Sequence, residues 1–112
     1  MIRIAIYRNT SGRIEWYEVD GHAEFDEAGK DIVCAGVSAV TVGTVNAIEA
    51  LTGVKPGVRM KHGMLKVNAL AAADAETDAK VQLLLEGMIV MLTSIEQSYG
   101  AYIAMQQITV NK

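Results

Sequence analysis

The chain has 112 residues, 51% of them apolar, enough for one hydrophobic core and too few for two, so a single domain over residues 1–112 is expected. A formal net charge of −3 argues against a nucleic-acid surface, which normally needs a basic stripe. Cys34 is the one cysteine, which excludes an internal disulfide and suits a reducing, cytoplasmic compartment.

The opening residues turn polar too soon for a secretory signal. Ile2, Ile4 and Ile6 alternate with other residues, the period of a half-buried strand over residues 2–8. Asn9-Thr10-Ser11-Gly12 is turn chemistry, and residues 14–19 read as the returning strand of a hairpin. Adjacent Trp16 and Tyr17 break the alternation and allow a bulge there. Residues 21–30, GHAEFDEAGK, read as an exposed acidic loop with glycine hinges at Gly21 and Gly29. Asp31 can cap a helix beginning at Ile32, and Gly53 is a suitable stop. The helix carries one charge, Glu49, up to Leu51. Ser38, Thr41, Thr44 and Asn46 around it, with no basic flank, argue for a buried helix of a soluble domain and against a membrane span. Ala39, Gly43 and Ala47 form a small-residue stripe that permits close packing of a helix or sheet. Lys61-His62-Gly63 centres a second hairpin, and a second helix starts at Asp74 or Thr77 and runs to about Tyr99. Its apolar face is Val81, Leu84, Leu85, Met88, Leu92 and Ile95. A last strand covers residues 102–110. The order ββαββαβ predicts an α+β two-layer fold, a mainly antiparallel sheet with two helices packed on it.

The chemistry concentrates between residues 21 and 38. A thiol attacks as thiolate, and both a helix N-terminus and a histidine that takes the proton favour that form. With Asp31 as cap, Cys34 lies in the first helical turn, and His22 stands at the end of the preceding strand. First-turn N–H groups without helical partners could also hold the oxyanion of a tetrahedral intermediate. Simpler roles fit each residue as well. Cys34 can be a small core residue, and His22 a strand-end histidine. Asp31 is explained by capping, and its charge beside a thiolate would oppose activation. Ser38, one turn after Cys34, can support the site or bond back to its own helix. His62 fits a hairpin turn or an alternative base. A zinc site from Cys34, His22 and His62 has too few ligands and no recognised spacing. Glu24, Asp26 and Glu27 read as a solvated face that could meet a basic peptide.

Gly21-His22-Ala23, then Gly29, then residues 31–39, DIVCAGVSA, resemble the signature of the bacterial ribosomal-processing cysteine proteases. Asn46 and Leu51 fit the same pattern, and the resemblance runs over essentially the whole chain. It implies a small homodimeric α/β protein that removes a short N-terminal extension from a large-subunit ribosomal protein, the one numbered twenty-seven. It also implies Cys34 and His22 as the catalytic dyad, Asp31 and Ser38 as supporting residues, and a mobile loop hinged at Gly21 and Gly29. No metal or organic cofactor is implied. The ribosomal partner would be met as protein rather than RNA, given the acidic charge. Rival readings are a non-enzymatic ribosome-assembly or protein-binding module of the same fold, and a redox sensor, which would lack a resolving cysteine.

Overall fold

Ile2, Ile4 and Ile6 turn to one side of strand β1 (Ile2–Arg8) and are buried, as their alternation predicts. The computed structural model describes residues 1–27 and 30–111. Five strands and two helices follow in the order ββαββαβ: β2 (Ile14–Asp20), α1 (Ile32–Thr52), β3 (Gly57–Lys61), β4 (Met64–Asn68), α2 (Ala75–Tyr99) and β5 (Ile103–Thr109). The strands lie in the order β3-β4-β2-β1-β5. All ladders are antiparallel except β1–β5, so the sheet is mixed and mainly antiparallel.

The irregularity in β2 falls one residue before Trp16. Tyr7 pairs with Trp16 but Arg8 pairs with Ile14, which leaves Glu15 as the extra residue. The bulge lets Ile14 and Tyr17, three apart, both point into the core. Trp16 is thereby turned to the opposite, helix-free face, where it stacks on Tyr7 at 4.3 Å under the Lys66 ammonium.

Helix α1 packs on the inner face through Val33, Val37, Thr41, Thr44 and Ile48. Its buried hydroxyls are satisfied locally, Thr41 donating to the Val37 carbonyl and Thr44 to that of Val40. Tyr17 anchors the helix from below, its hydroxyl donating to the Thr41 carbonyl at 2.8 Å. Burial pushes the Tyr17 phenol well above its ordinary range, which keeps it a donor. Gly53 ends the helix in the left-handed region at φ 76°. By length and composition α1 could cross a membrane, yet one side of it is packed against the sheet. Only that side is buried, so α1 is less enclosed than the buried helix its composition predicts. Ala39 and Gly43 lie exposed, and with Ala47 they line an open groove against Leu84 and Met91 of α2.

Helix α2 is fixed to the β1–β2 hairpin by polar clamps. The Arg13 guanidinium donates to both oxygens of Asp78 at 2.7 and 3.0 Å, and Arg8 holds both oxygens of Glu86 at 2.7 Å. Gln82 donates to and accepts from the Ile14 backbone. The helices run antiparallel, so the opposite end of the sheet collects the N-terminus of α1, the C-terminus of α2, the end of β2 and the β3–β4 turn.

Candidate active site

At that end β2 stops at Gly21, whose φ of 87° suits glycine, and a Cβ there would collide with the Met1 carbonyl oxygen. The Gly21 N–H donates to the Gly63 carbonyl at 3.0 Å, fastening the end of β2 to the β3–β4 turn. His22 follows, exposed to solvent, and then Ala23, which is buried. The Ala23 N–H points at Cys34 Sγ, 3.3 Å away.

Asp31 starts α1 with a buried carboxylate that is fully employed. Its Oδ1 accepts from the N–H groups of Val33 and Cys34, each at 3.0 Å. Its Oδ2 accepts from Phe25 at 2.9 Å and Asp26 at 3.4 Å. Burial opposes its charge, but the N–H groups of Cys34, Phe25 and Asp26, with help from the Cys34 side chain, hold the carboxyl below the usual carboxylate range. With these donors on it, the Asp31 carboxylate makes no hydrogen bond to His22 among the described residues. The same network narrows the oxyanion expectation. The N–H groups of Val33 and Cys34 are held by the Asp31 carboxylate and that of Ala35 by the Asp31 carbonyl, so these first-turn donors are taken.

Two clefts meet here. One, of about 230 Å³, runs between α1 and the sheet and is walled by Ile2, Val19, Val42, Met60 and Leu65. The other, about 600 Å³, has Glu24, Asp26, Asp31 and His62 in its lining. Cys34, His22 and Ser38 line both. Cys34 is half-buried, and Ser38 has no hydrogen-bond partner among the described residues, unlike the hydroxyls of Thr41 and Thr44 further along α1. No hydrogen bond joins His22 to Cys34 among the described residues. Catalytic pairs commonly close up only with substrate bound. Of the residues singled out in the sequence, Cys34, His22, Asp31, Ser38 and Gly21 come together. Gly29 lies outside the described residues.

Two participants escaped sequence reasoning. The Ala23 N–H is a backbone group and carries no residue-type signal. Phe25 lies in the loop read as solvated, yet its ring meets Tyr102 edge-on at 5.0 Å and Tyr99 at 5.7 Å, tying the loop to the end of α2. Its signal was available: it is the one phenylalanine in the chain, set among acids.

A thiol and an imidazole line the same two clefts, groups suited to acyl transfer, and the chain is a cysteine protease. A family model described as Cysteine protease Prp matches residues 1–104, and the chain belongs to that family. The ribosomal processing cysteine protease Prp of Bacillus subtilis (strain 168) is 43% identical over 101 residues, covering 88% of this chain and 90% of that protein. The crystal structure of the ribosomal processing protease Prp from Staphylococcus aureus with a covalently linked product peptide superposes with a TM-score of 0.86 at 37% identity, over 96% of this chain and 99% of that one. The Staphylococcus aureus protein with a substrate peptide gives a TM-score of 0.80 at 35% identity, with the same coverage.

Proposed function

We propose that the chain is an endopeptidase of the bacterial cytoplasm that removes a short N-terminal extension from a large-subunit ribosomal protein, with Cys34 as nucleophile and His22 as general base. One observation carries this reading: Cys34 and His22 line the same two clefts, so a peptide lying across both would present its scissile carbonyl between them. Relatives named for ribosomal processing, one of them with a covalently linked product peptide, support the substrate class. The lone free cysteine suits a reducing compartment.

His22 takes the Cys34 proton as Sγ attacks the scissile carbonyl carbon. The oxyanion falls to the Ala23 N–H, which already points at the sulfur, because the Val33, Cys34 and Ala35 N–H groups are held by Asp31. Collapse breaks the C–N bond, and His22 returns its proton to the leaving amine. Water, deprotonated by His22, then attacks the thioester, releasing the acid and restoring the thiol. Ser38, unbonded and facing both clefts, supports the bound peptide backbone. The apolar cleft accepts hydrophobic side chains before the cut, and the acidic one suits a basic segment of a ribosomal protein.

The test is mass spectrometry of a peptide spanning the extension junction, incubated with wild type, Cys34→Ser and His22→Ala. A single cut by wild type, lost by at least about a thousandfold in both variants, is the expected result. Normal cutting by His22→Ala would remove that residue as the base.

The active form in this reading is a homodimer. Leu51, Leu83, Val90 and Met91 are exposed on the helices, and the groove between α1 and α2 carries no charged side chain in its lining. An apolar helix face of this kind fits an isologous contact with a second copy. Sedimentation should show a dimer that Val90→Lys converts to monomer.

A further inference from the structure

We infer that His62, at the β3–β4 turn, is a positioning residue that holds the His22 ring in line for proton exchange with Cys34. The inference rests on His22 being the base, as proposed above.

The backbone on either side of His22 is pinned. Gly21 is wedged against Met1 and bonded to the Gly63 carbonyl, and Ala23 is buried with its N–H on Cys34 Sγ. The ring is not held in this way. It is exposed and has no hydrogen-bond partner among the described residues, and Asp31, the carboxylate nearest in sequence to Cys34, is bonded instead to four backbone N–H groups. An imidazole with two free torsions spends little time aligned for transfer, which requires about 2.6–3.2 Å between heavy atoms.

The β3–β4 turn supplies the missing wall. The His62 ring stands 6.0 Å from that of His22, centre to centre, tilted by 53°, within the range of favourable ring pairs. Beside it Gly63, at φ 76°, presents only hydrogens, and His22 Nε2 lies 3.5 Å from where a Cβ would stand. The Gly21–Gly63 hydrogen bond makes the turn and the end of β2 one unit, so the wall moves with the base. His62 lines the acidic cleft alone, whereas His22 lines both. That placement fits a ring that confines the base better than a second base.

Cys34 is the one cysteine, so its alkylation by iodoacetamide at neutral pH reads the dyad without substrate. This rate, with kcat and KM on the junction peptide and the melting temperature, is compared for wild type, His22→Ala, His62→Ala and His62→Phe. His62→Ala should slow alkylation and lower kcat by roughly tenfold, with KM and melting temperature nearly unchanged. His62→Phe, which keeps a ring and carries no proton, should return both rates to within about twofold of wild type. Wild-type rates in His62→Ala overturn the inference, as do a change confined to KM and a His62→Phe as slow as His62→Ala. A slow His22→Ala beside an unaffected His62→Ala retires the positioning role alone. If His22→Ala is as fast as wild type in both assays, the dyad reading falls, and this inference with it.

Discussion

Both helices begin at an aspartate, and the two caps are built differently. Asp74 is exposed and serves its own turn, accepting from the N–H and the hydroxyl of Thr77. Asp31 is buried and divides its oxygens, one taking the first-turn N–H groups of α1 and the other gathering the loop at Phe25 and Asp26. A cap needs only one acceptor. The second oxygen of Asp31 is therefore free to join the segment after His22 to the turn that carries Cys34. One residue type in one nominal role thus closes a helix in one place and joins the loop after His22 to the helix turn of Cys34 in the other.

Replacing both caps by asparagine should separate these roles. Asparagine offers one carbonyl oxygen and one amide donor, so Asp31→Asn can keep the helix start or the loop, but not both, and one pair of N–H groups must face a donor. Peptide cleavage should fall by roughly ten- to a hundredfold with helix content retained. The same substitution should blunt a response to acid. The Asp31 carboxyl is held below its ordinary value of 3.8, so its stabilisation is complete above that value and is lost as pH falls through the lower folded value. Melting temperatures of wild type and Asp31→Asn should therefore converge below about pH 3.8. Asp78 and Glu86, depressed by Arg13 and Arg8, lose stability in the same direction, but they are common to both proteins and cancel in the difference.

A smaller effect is expected from Phe25→Ala, which leaves the Asp31 bonds and removes the ring from Tyr99 and Tyr102. KM should rise by roughly threefold to tenfold, the scale of an aromatic contact, and hydrogen exchange at residues 24–26 should quicken. Unchanged exchange there would mean that Asp31 alone holds the loop. Asp74→Asn is the control, with cleavage within about twofold of wild type, since its cap touches nothing in the site. Equal losses in Asp31→Asn and Asp74→Asn would collapse the comparison.

Much of this was legible from local pattern. The alternation of β1, the Asp31 cap, Gly53 and the two-residue turn at His62-Gly63 are set within a few residues of sequence, and of the two starts left open for α2 the structure takes Asp74. The His22 and Cys34 block was legible as a motif. What escaped was tertiary. Residues 24–27 are exposed as expected, but Phe25 finds its ring partners more than seventy residues away. The hold of Asp31 on Phe25 and Asp26 escaped because no sequence rule says which way a cap's second oxygen will turn. The Gly63 carbonyl meets Gly21 across forty residues, a contact that only the strand order creates.

The parallel pair of first and last strands bears on synthesis. β1 is complete by Arg8, yet its neighbour begins at Ile103, and Ile2 and Phe25 both lean on Tyr102. Closing contacts so distant along the chain is the slow step of a fold with non-local pairing. A chain still emerging from the ribosome has the thiol and the imidazole but lacks the last strand and the aromatic seat of its loop. The sheet is thus complete only once β5 has been made, and the seat of the loop at Tyr99 and Tyr102 arrives just before it.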